Sequence, residues 1–318
     1  MRVIFMGTPD FAVPSLEAIL NSDDEVVGVV TQPDRPKGRG QTLVFSPVKD
    51  LALRRQIPIL QPTKMRDPDF LAALRGWNSD IIAVAAFGRI LPPSILSLPR
   101  NGCVNVHGSL LPRYRGAAPI QWAVINGETE TGITTMLMDE GMDTGAILLQ
   151  ERLAIEPQDT AGSLSVRMAA LGGGMLIETL KRLKAGTLTS RRQDDNQATL
   201  APMLKKEDGL VDWSLSAPAL ANRIRGLTPW PGAYTFVHDD RWVLWNAAAS
   251  SEPTSAAPGT IVNVSKQALR IATGEGLLAV TELQVANSRR MTVSQYLAGH
   301  AIQPGLRLGP PSPVSPGP

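Results

Sequence analysis

Residues 2–30 read RVIFMGTPDFAVPSLEAILNSDDEVVGVV, and this stretch decides the fold class. Residues 2–6 form a short apolar run that ends at Gly7-Thr8-Pro9-Asp10. Pro14 suits the first turn of a helix, and Leu16, Ile19 and Leu20 give that helix one buried face. Residues 26–30 return as a strand rich in β-branched side chains. Strand, helix, strand within thirty residues predicts a parallel sheet with a right-handed crossover. Gly7 stands alone where a dinucleotide site needs G-x-G-x-x-G, so it reads as a tight strand-to-helix turn.

Working outward, the same grammar continues. Helical text covers 48–55 and 67–74, and residues 81–86 form another buried strand that ends at Phe87-Gly88-Arg89. Residues 101–120, NGCVNVHGSLLPRYRGAAPI, place a strand at 103–106 and run out into a loop. Asn105 and His107 are two apart and therefore share a face. Gly116 leaves a backbone that something can approach closely. A helix is expected over 117–125. A strand over 133–138 then leads into DEGMDTG, 139–145, which carries Asp143. Residues 160–184 repeat apolar positions at helical spacing through Leu164, Met168, Leu171, Met175 and Leu180, across Gly172-Gly173-Gly174. Three glycines cost about 3 kcal/mol relative to alanines. A single helix in close contact with a neighbour is the expectation.

Beyond residue 186 the periodicity stops. The stretch TLTSRRQDDNQAT reads as an interdomain linker. Short strands then recur at 232–237, 241–247, 259–264, 269–272 and 277–283, with one helix at 217–225, which predicts a small β-barrel or sandwich. The domains are therefore expected at 1–187, then a linker at 188–203, then 204–308, with a disordered tail at 309–318. The 318 residues suffice for two domains. The balance of 31 basic against 29 acidic residues means that a nucleic-acid partner must be argued from local patches. One cysteine and three histidines exclude a disulfide framework and disfavour a metal site, so no metal is expected. No signal or transit segment and no apolar span is visible, so a cytoplasmic chain that does not enter a membrane is expected.

An amide, an imidazole and a carboxylate at strand ends can transfer a one-carbon acyl unit to an amine. Asp143 would take the proton of the attacking amine, directly or through a water. Asn105 and His107 would donate to the oxyanion, and His107 would protonate the leaving amine. Each residue taken singly also has a structural reading, as a cap, a hydrogen-bonded histidine or a turn former. Two polar loops on one parallel sheet favour the functional reading, because such sheets bind ligands at the carboxyl ends of their strands. Residues 32–49, QPDRPKGRGQTLVFSPVK, add a long basic loop with Arg35, Lys37 and Arg39.

VNVHGSLLPRYRGAAPIQWA followed by MDEGMDTG resembles the 10-formyltetrahydrofolate-dependent formyltransferases. The opening VIFMGTPDFAVPSLEAIL, with TQPDRPKGRG and SPVK, is similar to the branch that formylates methionine on initiator tRNA. KKEDGLVDWS, IRGLTPWPGA, APGTI and PGLRL extend that likeness through residue 308. The resemblance implies a Rossmann-like formyltransferase domain followed by an OB-like β-barrel. It implies 10-formyltetrahydrofolate as donor and the amino group of initiator methionyl-tRNA as acceptor, with contact at the acceptor stem and a monomeric enzyme. Asn105, His107 and Asp143 fall on the catalytic positions. Ser109, Leu110, Leu111 and Pro112 fall on the folate segment, with Phe87 and Gly88 beside it, Phe87 standing where a tyrosine is common. Arg35, Lys37 and Arg39 fall on the tRNA loop, with Arg39 on its key arginine. Lys205 and Lys206 fall where the second domain's basic side begins. Sugar-nucleotide N-formyltransferases share HGSLLP and the distant aspartate but not the basic loop or LTPWPGA. A folate hydrolase would need no tRNA-binding domain. A non-catalytic RNA-binding module would not need the three polar residues.

Overall fold

The computed structural model describes residues 1–37 and 42–310, with the backbone alone at 35–37, 42 and 43. Arg39, the side chains of Arg35 and Lys37, and the expected tail from residue 311 lie outside that description.

In chain order the first elements are β1 (Arg2–Gly7), α1 (Val13–Leu20), β2 (Glu25–Val30), β3 (Arg35–Lys37), β4 (Thr42–Val44), α2 (Pro47–Arg54) and β5 (Ile59–Leu60). Next come α3 (Pro68–Gly76), β6 (Ile81–Ala85), α4 (Pro93–Leu96), β7 (Cys103–His107), α5 (Pro119–Ile125), β8 (Glu130–Leu137), β9 (Ile147–Ala154) and α6 (Ala161–Lys184). The basic loop thus contains a short hairpin, β3 with β4, paired antiparallel. Seven strands form one sheet in the order β5-β2-β1-β6-β7-β8-β9. The five from β5 to β7 run parallel, as the opening stretch implies. β8 and β9 then extend the sheet antiparallel. β9 is absent from the sequence reading. Its residues alternate weakly because much of the strand is exposed.

One face of the sheet buries Ile4, Met6, Val30, Ile82, Val84 and Cys103 against Phe70 and Leu74 of α3 and Ile95 of α4. The other face is covered by α6, a single 24-residue helix across its three glycines. Close packing explains them. A Cβ on Gly172 would stand 2.8 Å from Val106 Cγ1, and one on Gly173 would stand 2.8 Å from the Pro14 carbonyl oxygen. A Cβ on Gly174 would meet nothing within 4 Å. Two alanine substitutions in this helix should therefore move stability in opposite directions. Gly174→Ala is expected to stabilise by up to about 1 kcal/mol through helix propensity. Gly173→Ala must push α6 off the rigid α1 backbone and is expected to cost about 1–2 kcal/mol net. Urea-unfolding midpoints with unchanged slopes would read both.

One compact unit comprises Met1–Pro119, Glu130–Ala154 and Leu164–Pro202. The stretch 188–203, expected as a linker, is bound to that unit as far as Pro202. Arg191 pairs with Ile147, and Leu200 pairs with Arg115. The other unit comprises Ile120–Thr129, Ile155–Ser163 and the chain from Met203 onward. Its elements are α7 (Ala217–Gly226), β10 (Ala233–Val237), β11 (Asp240–Ser250), β12 (Ile261–Val264), β13 (Leu269–Ala272), β14 (Leu277–Val285), β15 (Met291–Thr292) and α8 (Val293–Leu297). The strands follow the order β10-β11-β14-β13-β12, all antiparallel, with β15 on β14. Residues 305–309 join the two ends of that sheet. Arg307 and Leu308 bond beside β12, through Thr260 and Gly259, and Gly309 exchanges both backbone bonds with Phe236 of β10. Gly309, the first residue of the expected tail, is therefore paired. Among the described residues no helix is long and apolar enough to cross a membrane, and no cluster of three or more His, Cys, Asp or Glu could hold a metal ion.

Candidate active site

Strand β7 presents the first two groups. Val106 faces α6, so Asn105 and His107 face the opposite side of the sheet. Their neighbours there are Met136 and Thr134 of β8. Asn105 is 9% exposed and His107 6% exposed, so the site is recessed but reachable. Among the described residues the Asn105 side-chain amide has no hydrogen-bond partner. A recessed amide without a partner is available to a ligand.

Asp143 arrives from the hairpin between β8 and β9. Its backbone is left-handed, with φ of 56°. The hairpin is held from within by Asp139, which accepts from Gly141 N and from the Thr144 hydroxyl. Asp143 Oδ2 stands 3.6 Å from His107 Nδ1 and accepts the Gly116 N–H at 2.8 Å. Gly116 is the close backbone approach expected from sequence. Its φ is 125°, and a Cβ there would stand 2.6 Å from the Ala201 carbonyl oxygen.

His107 Nε2 stands 3.0 Å from the Tyr114 carbonyl oxygen. A carbonyl only accepts, so Nε2 carries the hydrogen and donates it. The ring atom left to exchange a proton is Nδ1, the one that faces Asp143. His107 and Asp143 therefore come together, with Nδ1 and the carboxylate sharing one side of the imidazole, and Asn105 shares the strand face of His107.

The expected folate segment turns over β8. The Leu111 N–H donates to Thr134 Oγ1, which donates to the Ser109 carbonyl. Gln150 donates to the Leu111 carbonyl. Ser109 is fully buried and its hydroxyl donates to the Arg113 carbonyl, and Leu111 is buried with Met136 and Ile147. Leu110 and Pro112 are the partly exposed side chains of the segment. Phe87 and Gly88 lie on the other side of β7, at the end of β6, beside Thr8 and Gln32. Lys205 and Lys206 are exposed in the second unit.

Sequence reasoning missed Gln193 and Arg115. The Gln193 amide nitrogen donates to the backbone carbonyls of Asp143 and Gly145, both at 2.8 Å. Its oxygen accepts two bonds from Arg115, which also donates to Asp195. Gln193 is 5% exposed, inside a stretch whose composition says only "polar". No periodicity marks it. Gln193→Ala should loosen the Asp143 loop and lower kcat by about ten- to 100-fold while leaving folate KM within a few-fold. A change in KM alone, with kcat intact, would make Gln193 a binding residue instead.

The family model described as formyl transferase matches residues 1–180, and the one described as formyl transferase, C-terminal domain, matches 203–301. A methionyl-tRNA formyltransferase of Geobacter metallireducens is 50% identical over 309 residues, 97% of this chain and 99% of that relative. One from Desulfotalea psychrophila is 53% identical over 302 residues, 95% of this chain and 94% of the relative. Among solved structures, the sugar 3N-formyltransferase WlaRD, in the presence of dTDP and 5-N-formyl-THF, superposes with a TM-score of 0.65 at 17% identity. The match covers 91% of this chain and 99% of that one. HypX from Aquifex aeolicus in complex with tetrahydrofolic acid gives 0.61 at 17% identity, covering 93% of this chain and 47% of that one.

Proposed function

The chain belongs to the formyl transferase family, with methionyl-tRNA formyltransferases as its full-length relatives, and on that premise we propose that Asn105, His107 and Asp143 carry its reaction. The reaction transfers the formyl group of 10-formyltetrahydrofolate to the free amino group of methionine on initiator methionyl-tRNA. The product is N-formylmethionyl-tRNA for translation initiation. The observation that carries the residue assignment is the Asp143 carboxylate 3.6 Å from His107 Nδ1, on the strand face of an Asn105 amide that has no partner among the described residues.

The residues fit a folate donor. Asn105 offers a free amide on the face where residues 109–112 turn over β8. We assign the folate to Ser109, Leu110, Leu111 and Pro112, and leave out Phe87 and Gly88, which lie on the other side of β7 beside Thr8 and Gln32. Because the Ser109 hydroxyl and Leu111 are occupied inside the protein, the contacts fall to Leu110, Pro112 and the backbone. The folate supplies an activated one-carbon acyl group. The protein supplies proton management and charge stabilisation. An α-amino group with a pKa of about 7.7–8.0 is partly protonated at neutral pH, so attack needs a base. Asp143 takes that proton, directly or through a water. Asn105 and a protonated His107, through Nδ1–H, donate to the developing oxyanion. Nδ1 then gives its proton to the departing amine and leaves the ring neutral with Nε2–H in place, while the proton from the attacking amine rests on Asp143. Nε2 stays bound to the Tyr114 carbonyl and keeps the ring in place.

The acceptor stem of the tRNA meets the loop 32–49 through Arg35, Lys37 and Arg39, and Lys205 and Lys206 add phosphate contacts. The enzyme acts as a monomer, in the cytoplasm where charged initiator tRNA is found. A single assay tests the function. Labelled formyl transfer is measured from 10-formyltetrahydrofolate to charged initiator tRNA, charged elongator tRNA and an amino-sugar nucleotide. Transfer to the initiator well above the other two is expected, and a preference for the sugar would overturn the proposal.

A further inference from the structure

A cavity of about 490 Å³ opens where β1, β2 and β6 end. This is the topological switch point of the sheet, since the chain moves one way from β1 to β2 and the other way from β6 to β7. The cavity lies next to the reaction centre. Gly7, Ala85 and Val106 form one row across β1, β6 and β7. The cavity begins at the next residues, Thr8 and Ala86, and the next residue on β7 is His107. Neighbouring strands are about 4.8 Å apart, so the cavity spans roughly 5–15 Å from β7.

Its polar walls are already satisfied. Thr8 Oγ1 donates to the Phe87 carbonyl and accepts from Gln32 N. The Gln32 amide donates to the Phe87 carbonyl and accepts from Arg89. Ser46 Oγ bonds Lys49 N and the Thr31 hydroxyl. Asp34 is ion-paired with Lys49 and accepts from Gln61. The Lys49 ammonium and then the Gln61 amide hold its carboxyl below the usual carboxylate range. What remains for an occupant is the apolar surface of Pro9, Pro33, Val44, Phe45 and Pro47. Val44 and Phe45 are 46% and 48% exposed, and the Lys49 ammonium lies 4.2 Å from the Phe45 ring centre. A phosphate or a charged side chain would lose hydration on entry against this largely apolar lining. The cavity suits a flexible apolar side chain, and a thioether sulfur gains further from an aromatic ring.

We propose that this cavity receives the methionine side chain of the acceptor and that Phe45 sets the preference for it. The inference rests on the acceptor assignment above. The donor segment leans over β8 on one side of β7, and the cavity lies on the other. The acceptor's amine thus meets the formyl carbon above β7, with its side chain reaching toward β1.

The test uses the full chain and one initiator tRNA body charged with methionine or with glycine. Wild-type enzyme should favour the methionyl form in kcat/KM by about tenfold or more. Phe45→Ala should lower kcat/KM for the methionyl form by about tenfold, leave the glycyl form within about twofold, and leave the KM for 10-formyltetrahydrofolate unchanged. Phe45→Leu should keep most of the preference. An unchanged methionyl-to-glycyl ratio in Phe45→Ala would overturn the proposal. So would a raised folate KM with both acceptors, which would give the cavity to the donor. Failure of wild-type enzyme on methionyl initiator tRNA would instead sink the function proposed above.

Discussion

Asp143→Asn is expected to lower turnover by about 100-fold or more while the melting temperature moves by only a few degrees. The substitution is clean for a structural reason. Asp143 occupies the left-handed region, which asparagine tolerates better than most residues. The amide oxygen of the substituted side chain can still accept the Gly116 N–H that Oδ2 accepts now. The loop therefore keeps its shape and loses only its proton acceptor. Asp143→Ala would confound the result, because it strands the Gly116 N–H and strains the backbone together. The measurement is single-turnover formyl transfer alongside thermal unfolding of the same preparation. A folded Asp143→Asn enzyme with near-normal turnover would remove Asp143 from the chemistry.

Asn105→Ala should cost about 3–4 kcal/mol of barrier, close to the loss of one oxyanion donor elsewhere. Because the Asn105 amide bonds no other described residue, its removal strands no protein group. The stability cost should be small for the same reason, and folate affinity should stay within a few-fold. The loss then appears in kcat. If folate binding collapsed and turnover of the bound complex survived, Asn105 would be a ligand contact with no part in the oxyanion.

Much of this site is legible in the sequence, because its parts obey local rules. Alternation along a strand puts Asn105 and His107 on one face. A lone glycine among small residues at Gly116 marks a close approach, and the approaching groups are Asp143 and Ala201. Helical spacing carries α6 through three glycines, two of which are needed for contact. What is not legible depends on pairing across the chain. Gln193 reaches Asp143 across 50 residues, and Arg115 reaches Gln193 across 78. Neither composition nor periodicity encodes such a contact. The tautomer of His107 is of the same kind, since it follows from a carbonyl at Tyr114 that only the loop's return brings within 3.0 Å. The two compact units are also interleaved in sequence. Ile120–Thr129 and Ile155–Ser163 group with the residues after Met203, which a reading that cuts the chain once cannot foresee.

The join made by residues 305–309 has a consequence for synthesis. During translation β10 and β12 leave the ribosome long before the segment that joins them. Until Arg307, Leu308 and Gly309 appear, β12 and the Phe236 end of β10 present open edges, which favour pairing with other chains. A chain that stops before Arg307 would hold every residue of the proposed active site and leave the ends of this sheet unjoined. Such a product is a natural target for chaperones and proteases. Residues 305–309 therefore complete the sheet only after all of its strands have been made.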